Sequence, residues 1–323
     1  MTNSKRLSII IPHYNSLDTL KILLRSIPVN DNIEIVIVDD LSDIGYEAVK
    51  NAVFEMTDVI AGKDITVISN ETGVFGPGGA RNQGMEAAKG EWFLFADSDD
   101  SFVGDFYSIV SEYFESDADI VYFCPDGINA DTGKPSNRHM RYVDVVTKCA
   151  NNPSVANETE MKYSFCTPWS KLFRASIIRE NNLKYADTKA SEDVYFVTQV
   201  AYNARKVIAD KRVIYCVTRR SGTLTSHKTE EDFDSNIDIM IWRYNYLKDN
   251  LKESFKYTKM EYLALAKVVD AVLNGFGIKK ALQIIRRYNK SGVRFISLSM
   301  LSPSMVLRSI EIEMKHWSEI KKK

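Results

Sequence analysis

Residues 1–125 alternate between two hydrophobic periodicities, and this alternation limits the fold more than any other feature of the chain. Short continuous apolar runs, typical of buried strands, are separated by segments in which apolar residues recur every three or four positions, as in helices. Strands and helices that alternate in this way form right-handed crossovers and a largely parallel sheet. The predicted strands are Leu7–Ile11, Ile33–Val38, Asp64–Ser69, Trp92–Ala96 and Ile120–Cys124.

Two of the predicted strands run directly into acidic clusters. Asp39 and Asp40 follow the second strand, and Asp97, Asp99 and Asp100 follow the fourth. Because ligands of such sheets bind outside the carboxyl ends of the strands, both clusters are expected to face one crevice. Two carboxylates two residues apart form a hard oxygen site that suits Mg²⁺ or Mn²⁺ together with phosphate oxygens. The alternative is a solvated turn whose aspartates cap the next helix.

Other uses of the acidic run can be tested on spacing. An EF-hand loop that begins at Asp97 requires glycine at its sixth position and glutamate at its twelfth, which here are Phe102 and Ser108. A phosphatase of the haloacid dehalogenase type would use Asp97 as a nucleophile and normally has threonine or valine at the position of Ser101. This phosphatase or phosphotransferase remains the weaker enzymatic alternative.

A glycine-rich stretch from Gly73 to Gly79 precedes a predicted helix over Ala80–Lys89. The spacing is not that of a dinucleotide-binding loop, because Arg81 occupies the sixth position counted from Gly76, and no P-loop motif occurs. Glycine at these positions is expected to allow a tight turn or a close approach to a ligand. Arg81 is expected either to pair with the aspartates or to contact a diphosphate.

The order of these motifs strongly resembles family 2 glycosyltransferases, which have the GT-A fold. The resemblance is continuous over residues 7–105 and resumes further along the chain. It implies a mostly parallel, Rossmann-like α/β sheet flanked by helices. The helical C-terminal extension is indicated by the apolar periodicity from about Glu230 onward and matches no motif. The motifs that carry it are Pro12-x-Tyr14-Asn15, Val38-Asp39-Asp40-x-Ser42, Ala80-Arg81-Asn82-x-Gly84, Lys89-Gly90-Glu91, Asp97-Ser98-Asp99-Asp100, Trp169-x-Lys171-Leu172 and Glu192-Asp193.

The resemblance also implies a nucleotide-sugar donor, usually a UDP-sugar, and a Mn²⁺ or Mg²⁺ cofactor. Pro12, Tyr14 and Asp40 would line the pocket for the base and ribose, with Asp40 accepting a hydrogen bond from uracil. The acceptor would be a saccharide or a polyprenyl-linked saccharide, in the assembly of a bacterial surface polysaccharide. A protein that binds sugar nucleotides without catalysis, or acts as a scaffold, is the alternative from a different class.

Four further residues receive roles from the same resemblance. Asp97 would approach the ribose or the metal, Asp99 would be the main metal ligand, and Arg81 would brace the acidic turn. Asp193 would act as the general base on the acceptor hydroxyl in an inverting displacement. Considered without the family, the acids at 192 and 193 are simply typical of a helix N-terminus.

The remaining sequence predicts the domain organisation. A GT-A-like domain is expected over residues 1–228, with a nucleotide-binding half over about 1–125 and an acceptor half over about 126–228, followed by a helical subdomain over 229–323. Residues 126–160 are polar and are expected to be a loosely structured insertion. The roles of four residues stay open. Trp169 is either a platform for a sugar ring or a core residue, and His227 is either a metal ligand or an exposed histidine. Arg219 and Arg220 either bind the diphosphate or form the solvated tip of a hairpin.

Charge and hydropathy exclude two classes of protein. Lysine and arginine total 42 against 43 acids, which argues against a broadly basic nucleic-acid binder. No stretch of about 18 uncharged apolar residues occurs, so no membrane-spanning helix is expected. A cytoplasmic location is therefore expected. Basic and apolar residues alternate near the C-terminus, which leaves open a peripheral contact of these helices with the inner face of the membrane, and homo-oligomerisation is also open.

Overall fold

The computed structural model describes residues 5–137, 139–188, 190–220 and 229–295. The chain divides into two compact units, residues 1–227 and 228–323. Among the residues described, none of the helices combines the length and the apolar character needed to cross a membrane. Of the predictions above, His227 and the segment 296–323 lie outside the described residues.

The first unit is built on a mixed sheet in the order β3-β2-β1-β4-β7-β6-β8-β5. Strands β3, β2, β1 and β4 are parallel, β7 is antiparallel to both of its neighbours, and β5 is antiparallel to β8. The predicted fold class is confirmed. The strands are β1 (Leu7–His13), β2 (Ile33–Asp39), β3 (Asp64–Ser69), β4 (Trp92–Phe95), β5 (Ser101–Phe102), β6 (Ile120–Asn129), β7 (Lys171–Arg174) and β8 (Val207–Arg219).

Helices flank this sheet, and the central strands are therefore buried along their full length. Every residue of β1 and β2 is buried, which explains why these strands are continuous apolar runs rather than alternating ones. The helices of the first unit are α1 (Leu17–Ser26), α2 (Tyr46–Glu55), α3 (Thr57–Ile60), α4 (Pro77–Ala87), α5 (Phe106–Ser111), α6 (Met140–Asn151), α7 (Val155–Ser164), α8 (Ala175–Glu180) and α9 (Glu192–Asn203).

The prediction of a loosely structured insertion over 126–160 was wrong. Strand β6 continues to Asn129, and most of the remaining segment forms α6 and α7. Helix α6 buries an apolar stripe at helical spacing, and α7 begins at Ser154, whose side chain accepts a hydrogen bond from the backbone N–H of Asn157. The polar composition of the segment concealed the stripe, which consists of Tyr142, Val145, Val146 and Cys149.

Helix α4 begins earlier than the predicted Ala80. Pro77 occupies its first turn, where a missing backbone N–H is tolerated, so Gly78 and Gly79 are helical rather than part of a turn. Ser16 lies at the N-cap position of α1, but its side chain makes no capping bond. Its hydroxyl instead lies 2.7 Å from that of Ser98, which links α1 to the acidic turn after β4.

The second unit is helical throughout its described part, as predicted. Its elements are α10 (Glu230–Leu251), a 3-10 helix (Lys252–Thr258), α11 (Met260–Leu273) and α12 (Gly277–Lys290). A capping box between Thr229 and Asp232 begins α10. Ion pairs from Lys280 and Arg287 to Asp234, at 2.7 and 2.8 Å, join α12 to α10.

Candidate active site

The ends of β1 and β2 are joined by a buried cluster of His13, Asp39 and Ser42. The Ser42 hydroxyl donates to Asp39 Oδ1 at 2.6 Å, and His13 Nδ1 lies 3.1 Å from the same oxygen. The backbone N–H of Ser16 donates to His13 Nε2, so Nδ1 carries the proton that is shared with Asp39. Burial alone would raise the pKa of Asp39, but these hydrogen bonds hold it below its ordinary value. Asp39 is thus a fully partnered structural acid.

Asp40, the neighbouring acid, holds the glycine-rich loop. Its Oδ1 accepts from the Asn70 side chain at 2.6 Å, and its Oδ2 accepts from the backbone N–H of Gly76 at 2.8 Å. Gly76 has a φ of 102°, which glycine adopts without strain. A carboxylate has about four lone-pair positions, so these two bonds leave capacity for a ligand such as uracil.

Pro12 and Tyr14 lie at the same edge of the sheet as Asp40. Pro12 is buried in β1, beyond the stretch of that strand that pairs with β4. Tyr14 is 52% exposed, and its hydroxyl donates to Asp43 at 3.3 Å. The three predicted base-pocket residues are therefore neighbours at the ends of β1 and β2, with an aromatic ring that is open to solvent. Their contact with a nucleotide remains a prediction.

Glycines on α4 allow this helix to pack closely against the rest of the site. A Cβ on Gly78 would lie 2.7 Å from Cγ of Glu192, and a Cβ on Gly79 would lie 2.0 Å from the carbonyl oxygen of Val74. The glycine stretch was predicted to make a tight turn or to admit a ligand closely. Instead, the absence of a side chain at Gly78 lets Glu192 pack closely, and its absence at Gly79 lets the backbone of Val74 do so. The start of α9 therefore packs against α4.

Arg81 links the acidic turn after β4 to the start of α9. Its Nη2 lies 2.5 Å from Asp97 Oδ1, and its Nη1 lies 3.6 Å from Glu192 Oε1. The guanidinium also lies over the ring of Tyr185 at 5.4 Å. Burial alone would lower the pKa of Arg81, but the charge of Asp97 and then those of its other neighbours raise it above its ordinary value. Of the two predicted contacts, the structure shows the ion pair with the aspartate.

The acidic turn is fastened to β8 by Tyr215. The backbone N–H of Asp97 donates to the Tyr215 hydroxyl at 2.9 Å, and that hydroxyl donates to Asp100 Oδ2 at 2.8 Å. Thr218 N–H donates to the other oxygen of Asp100 at 2.6 Å. Burial, together with the charges of Asp97 and Asp99, raises the pKa of Asp100 well above its ordinary value. Nothing in the sequence signalled the role of Tyr215, which is 118 residues from Asp97.

The acidic turn fits a divalent cation that is held partly by substrate. Within the described ranges, no three side chains of His, Cys, Asp or Glu are grouped as a complete metal site. Mg²⁺ is usually bound by one or two carboxylates, with water and substrate phosphates completing its coordination. Asp99 and Asp97 are half-buried and supply such oxygens. Burial and then the charges of Asp97 and Asp99 raise the pKa of Asp100, and a bound cation would offset these negative charges.

Asp193 lies in the first turn of α9, beside Glu192 and Arg81. The backbone N–H of Val194 donates to its Oδ1 at 2.7 Å. Burial and then the charge of Glu192 raise the pKa of Asp193 to about 7, an effect that Arg81 partly offsets. A carboxyl group with a pKa near neutrality is suited to accept a proton from a hydroxyl. Asp193 thus lies within electrostatic range of Asp97 and Arg81, and its role as a base stays a prediction.

The open question about Trp169 has a structural answer. The residue is 6% exposed and packs among aromatic rings, in parallel with Tyr215 at 5.9 Å and edge-on to Tyr142 at 5.3 Å. It is therefore a core residue rather than an open platform for a sugar. Lys171 is also fully buried, with its ammonium 3.4 Å from the ring centroid of Phe165, and burial lowers its pKa well below the ordinary value.

The chain belongs to glycosyl transferase family 2, whose family model matches residues 8–181. It is 32% identical over 224 residues to the poly(ribitol-phosphate) beta-glucosyltransferase of Bacillus spizizenii, covering 66% of this chain and 32% of that protein. It is 24% identical over 288 residues to the poly(ribitol-phosphate) beta-N-acetylglucosaminyltransferase TarS of Staphylococcus aureus, covering 86% and 47%. The chain thus spans a third to a half of the length of these relatives.

Solved structures show the same fold. A crystal structure of S. aureus TarS 1-349 in complex with UDP-GlcNAc has a TM-score of 0.67 to this chain at 21% identity, covering 88% of this chain and 80% of that one. The mannosyltransferase PcManGT of Pyrobaculum calidifontis, in complex with GDP-Man and Mn²⁺, has a TM-score of 0.56 at 16% identity, covering 99% and 83%. At these identities the likeness concerns the fold alone.

Proposed function

We propose that this chain is an inverting, metal-dependent glycosyltransferase that uses a nucleotide-sugar donor, with a UDP-sugar as the first choice. The observation that carries the proposal is the position of Asp193 next to Glu192, which Arg81 links to Asp97 of the acidic turn. A candidate base with a pKa near neutrality lies beside a carboxylate pair suited to a diphosphate-bound cation. Family membership supports the same chemistry.

The donor would bind across the carboxyl ends of β1, β2 and β4. Pro12, Tyr14 and Asp40 would hold the base and ribose, and Asp97 would lie near the ribose or the cation. Asp99 would hold Mn²⁺ or Mg²⁺, and that ion, when bound, would neutralise the charge of the departing diphosphate. Arg81 would keep Asp97 in place through the ion pair that the structure contains.

The transfer itself would be a single displacement. The acceptor oxygen forms a bond to the anomeric carbon of the sugar, and the bond from that carbon to the diphosphate oxygen breaks. Asp193 takes the proton of the acceptor hydroxyl, and the nucleoside diphosphate leaves with the bonding electron pair. Because one displacement occurs, the anomeric configuration inverts. No protein nucleophile takes part in this reaction. Because Asp97 Oδ1 accepts a hydrogen bond from Arg81, it is poorly placed to attack a phosphate, which disfavours a phosphatase with Asp97 as nucleophile.

The acceptor would be a saccharide, a polyprenyl-linked saccharide or a polyol phosphate of a bacterial surface polymer. The polyol phosphate is included because two relatives are named as poly(ribitol-phosphate) transferases. A cytoplasmic location, with contact of the C-terminal helices at the inner face of the membrane, belongs to the same proposal. So does the division of the first unit into nucleotide-binding and acceptor halves.

A thermal-shift screen of nucleotide sugars with and without Mn²⁺ tests the proposal. A ligand that binds the folded state raises the melting temperature by mass action, so a UDP-sugar should raise it more when Mn²⁺ is present. Release of UDP from that donor then measures turnover. Absence of any shift with every nucleotide sugar would reject the proposal. Trapping of an aspartyl phosphate at Asp97 would instead favour the phosphatase, and tight UDP binding without turnover would favour a binding protein.

A further inference from the structure

An arginine near the start of α6 is held on the solvent-facing side of a rigid aromatic cluster. Arg141 is exposed, and its Nη2 donates to the Tyr142 hydroxyl at 2.5 Å. Its guanidinium carbon lies 4.6 Å from the centroid of the Tyr142 ring. The stacking and the hydrogen bond together fix the orientation of a side chain that otherwise has many rotamers. Less conformational entropy is then lost when Arg141 binds a ligand.

The ring beneath Arg141 is itself immobilised. Tyr142 is 2% exposed and is stacked on Phe165 at 4.4 Å. It contacts Trp169 edge-on, and Trp169 stacks on Tyr215, the residue that fastens the acidic turn. A continuous set of packed rings therefore connects Arg141 to the turn that carries the proposed metal ligand.

The charge of Arg141 is close to the candidate base but is not neutralised by the protein. Arg141 and Tyr142 both lie within electrostatic range of Asp193. In the part of the chain that the structure describes, no carboxylate lies within ion-pair distance of Arg141, whereas Arg81 faces both Asp97 and Glu192. An oriented guanidinium that faces solvent is suited to bidentate binding of a phosphate.

We propose that Arg141 binds a phosphate group of the acceptor, beside the hydroxyl that Asp193 deprotonates, and that the acceptor is therefore a polyol phosphate rather than a neutral saccharide. This inference rests on the proposed function. The donor residues lie on β1, β2 and α4, whereas Arg141 lies on α6, which packs against β6 and β8. Arg141 thus lies on an element that carries none of the proposed donor residues, and this assigns it to the acceptor rather than to the donor diphosphate.

Calorimetric titration of the protein loaded with UDP and Mn²⁺ tests this assignment. The probes are a synthetic ribitol-phosphate tetramer and free ribitol. We expect the wild type to bind the tetramer, and Arg141→Gln to bind it at least about tenfold more weakly, because a charge-assisted hydrogen bond is lost. The effect should shrink as salt is added. Arg141→Lys should retain part of the affinity, since it keeps the charge without the planar fork.

Arg205→Gln is the matched control. Arg205 is also exposed, and it follows the C-terminal end of α9, a helix of 12 residues and thus about 18 Å long, that begins beside Asp193. This control should bind the tetramer like the wild type. Equal binding by Arg141→Gln, no wild-type preference for the tetramer over ribitol, or weaker UDP binding by Arg141→Gln would each overturn the assignment. Failure of the wild type to bind UDP would instead reject the proposed function.

Discussion

Two groups of acids lie at the ends of β2 and β4, the strands on either side of β1, yet their surroundings are opposite. At the end of β2, Asp39 receives hydrogen bonds from His13 and Ser42, and its pKa is lowered. Around the end of β4 and the start of α9, burial and like charges raise the pKa values of Asp100 and Asp193. In the sequence, both groups are acids at the end of a strand or the start of a helix. Their positions alone therefore do not show that their pKa values shift in opposite directions.

The difference shows which acids serve the fold and which are available for chemistry. Asp39 is stabilised as an anion by its own neighbours, so it needs no ligand. The acids around β4 and α9 carry negative charge that the protein only partly balances with Arg81. Unbalanced charge of this kind is a cost in the free protein, and it is offset when a cation or a proton arrives. The following predictions separate the two groups.

Asp99→Ala should have the largest effect, because it removes the proposed cation ligand. Turnover of the nucleotide sugar should fall by roughly 10⁴-fold, since a metal contributes several kcal/mol and each factor of ten corresponds to about 1.4 kcal/mol. The Mn²⁺-dependent part of UDP binding should also disappear, while the melting temperature stays near that of the wild type. Asp58→Ala, which removes an exposed acid paired with Arg25, is the control and should keep full turnover.

Asp193→Asn should lower the rate of transfer by about 10²–10³-fold, within the usual range for loss of a general base. Donor binding should be unchanged, because the substitution leaves the acidic turn intact. Separate measurement of UDP-sugar affinity and of product formation checks both statements. Transfer at the wild-type rate would remove Asp193 from the role of base.

Asp39→Ala should reduce the free energy of unfolding by roughly 2–4 kcal/mol, since His13 and the Ser42 hydroxyl would lose the buried carboxylate to which both bond. The pKa of Asp39 is lowered in the folded state, so its contribution is present above its ordinary value of 3.8 and is lost at more acidic pH. Urea denaturation at neutral pH measures the loss. Asp43→Ala, an exposed acid at the same edge, should cost less than about 1 kcal/mol. Equal losses in the two variants would contradict the structural role of Asp39.

A change of one pH unit should have the smallest effect on the reaction rate among these tests. Because the pKa of Asp193 is raised to about 7, kcat/KM should fall about tenfold for each pH unit below that value. The free energy of unfolding should change in the opposite direction and decrease as pH rises. The raised pKa of Asp193 stabilises the folded state fully below pH 3.8, and this stabilisation is lost as pH rises through about 7. Asp193→Asn should therefore be more stable than the wild type at pH 8, by roughly 1–3 kcal/mol. A wild-type rate that is constant down to about pH 5 would contradict the role of Asp193.

The strands of the first half were predictable because their signal is local. A strand such as β3 is recognisable from its own residues, and its bounds agree with the prediction. The segment over 126–160 was not recognised, because the burial of the α6 stripe depends on β6 and β8, which lie on either side of it in the chain. For the same reason Arg141 and Tyr142 carried no signal in the sequence.

The sequence by itself determined the alternation of strands and helices, and hence the edge of the sheet at which the acids lie. Only the tertiary structure decided the partners of each acid. Arg81 reaches Asp97 across 16 residues, and Tyr215 reaches Asp100 across 115. The electrostatic free energy of a carboxylate depends on burial and on charges a few ångströms away. Those charges belong to residues that are distant in the chain, so the spacing of acids along the sequence does not report them.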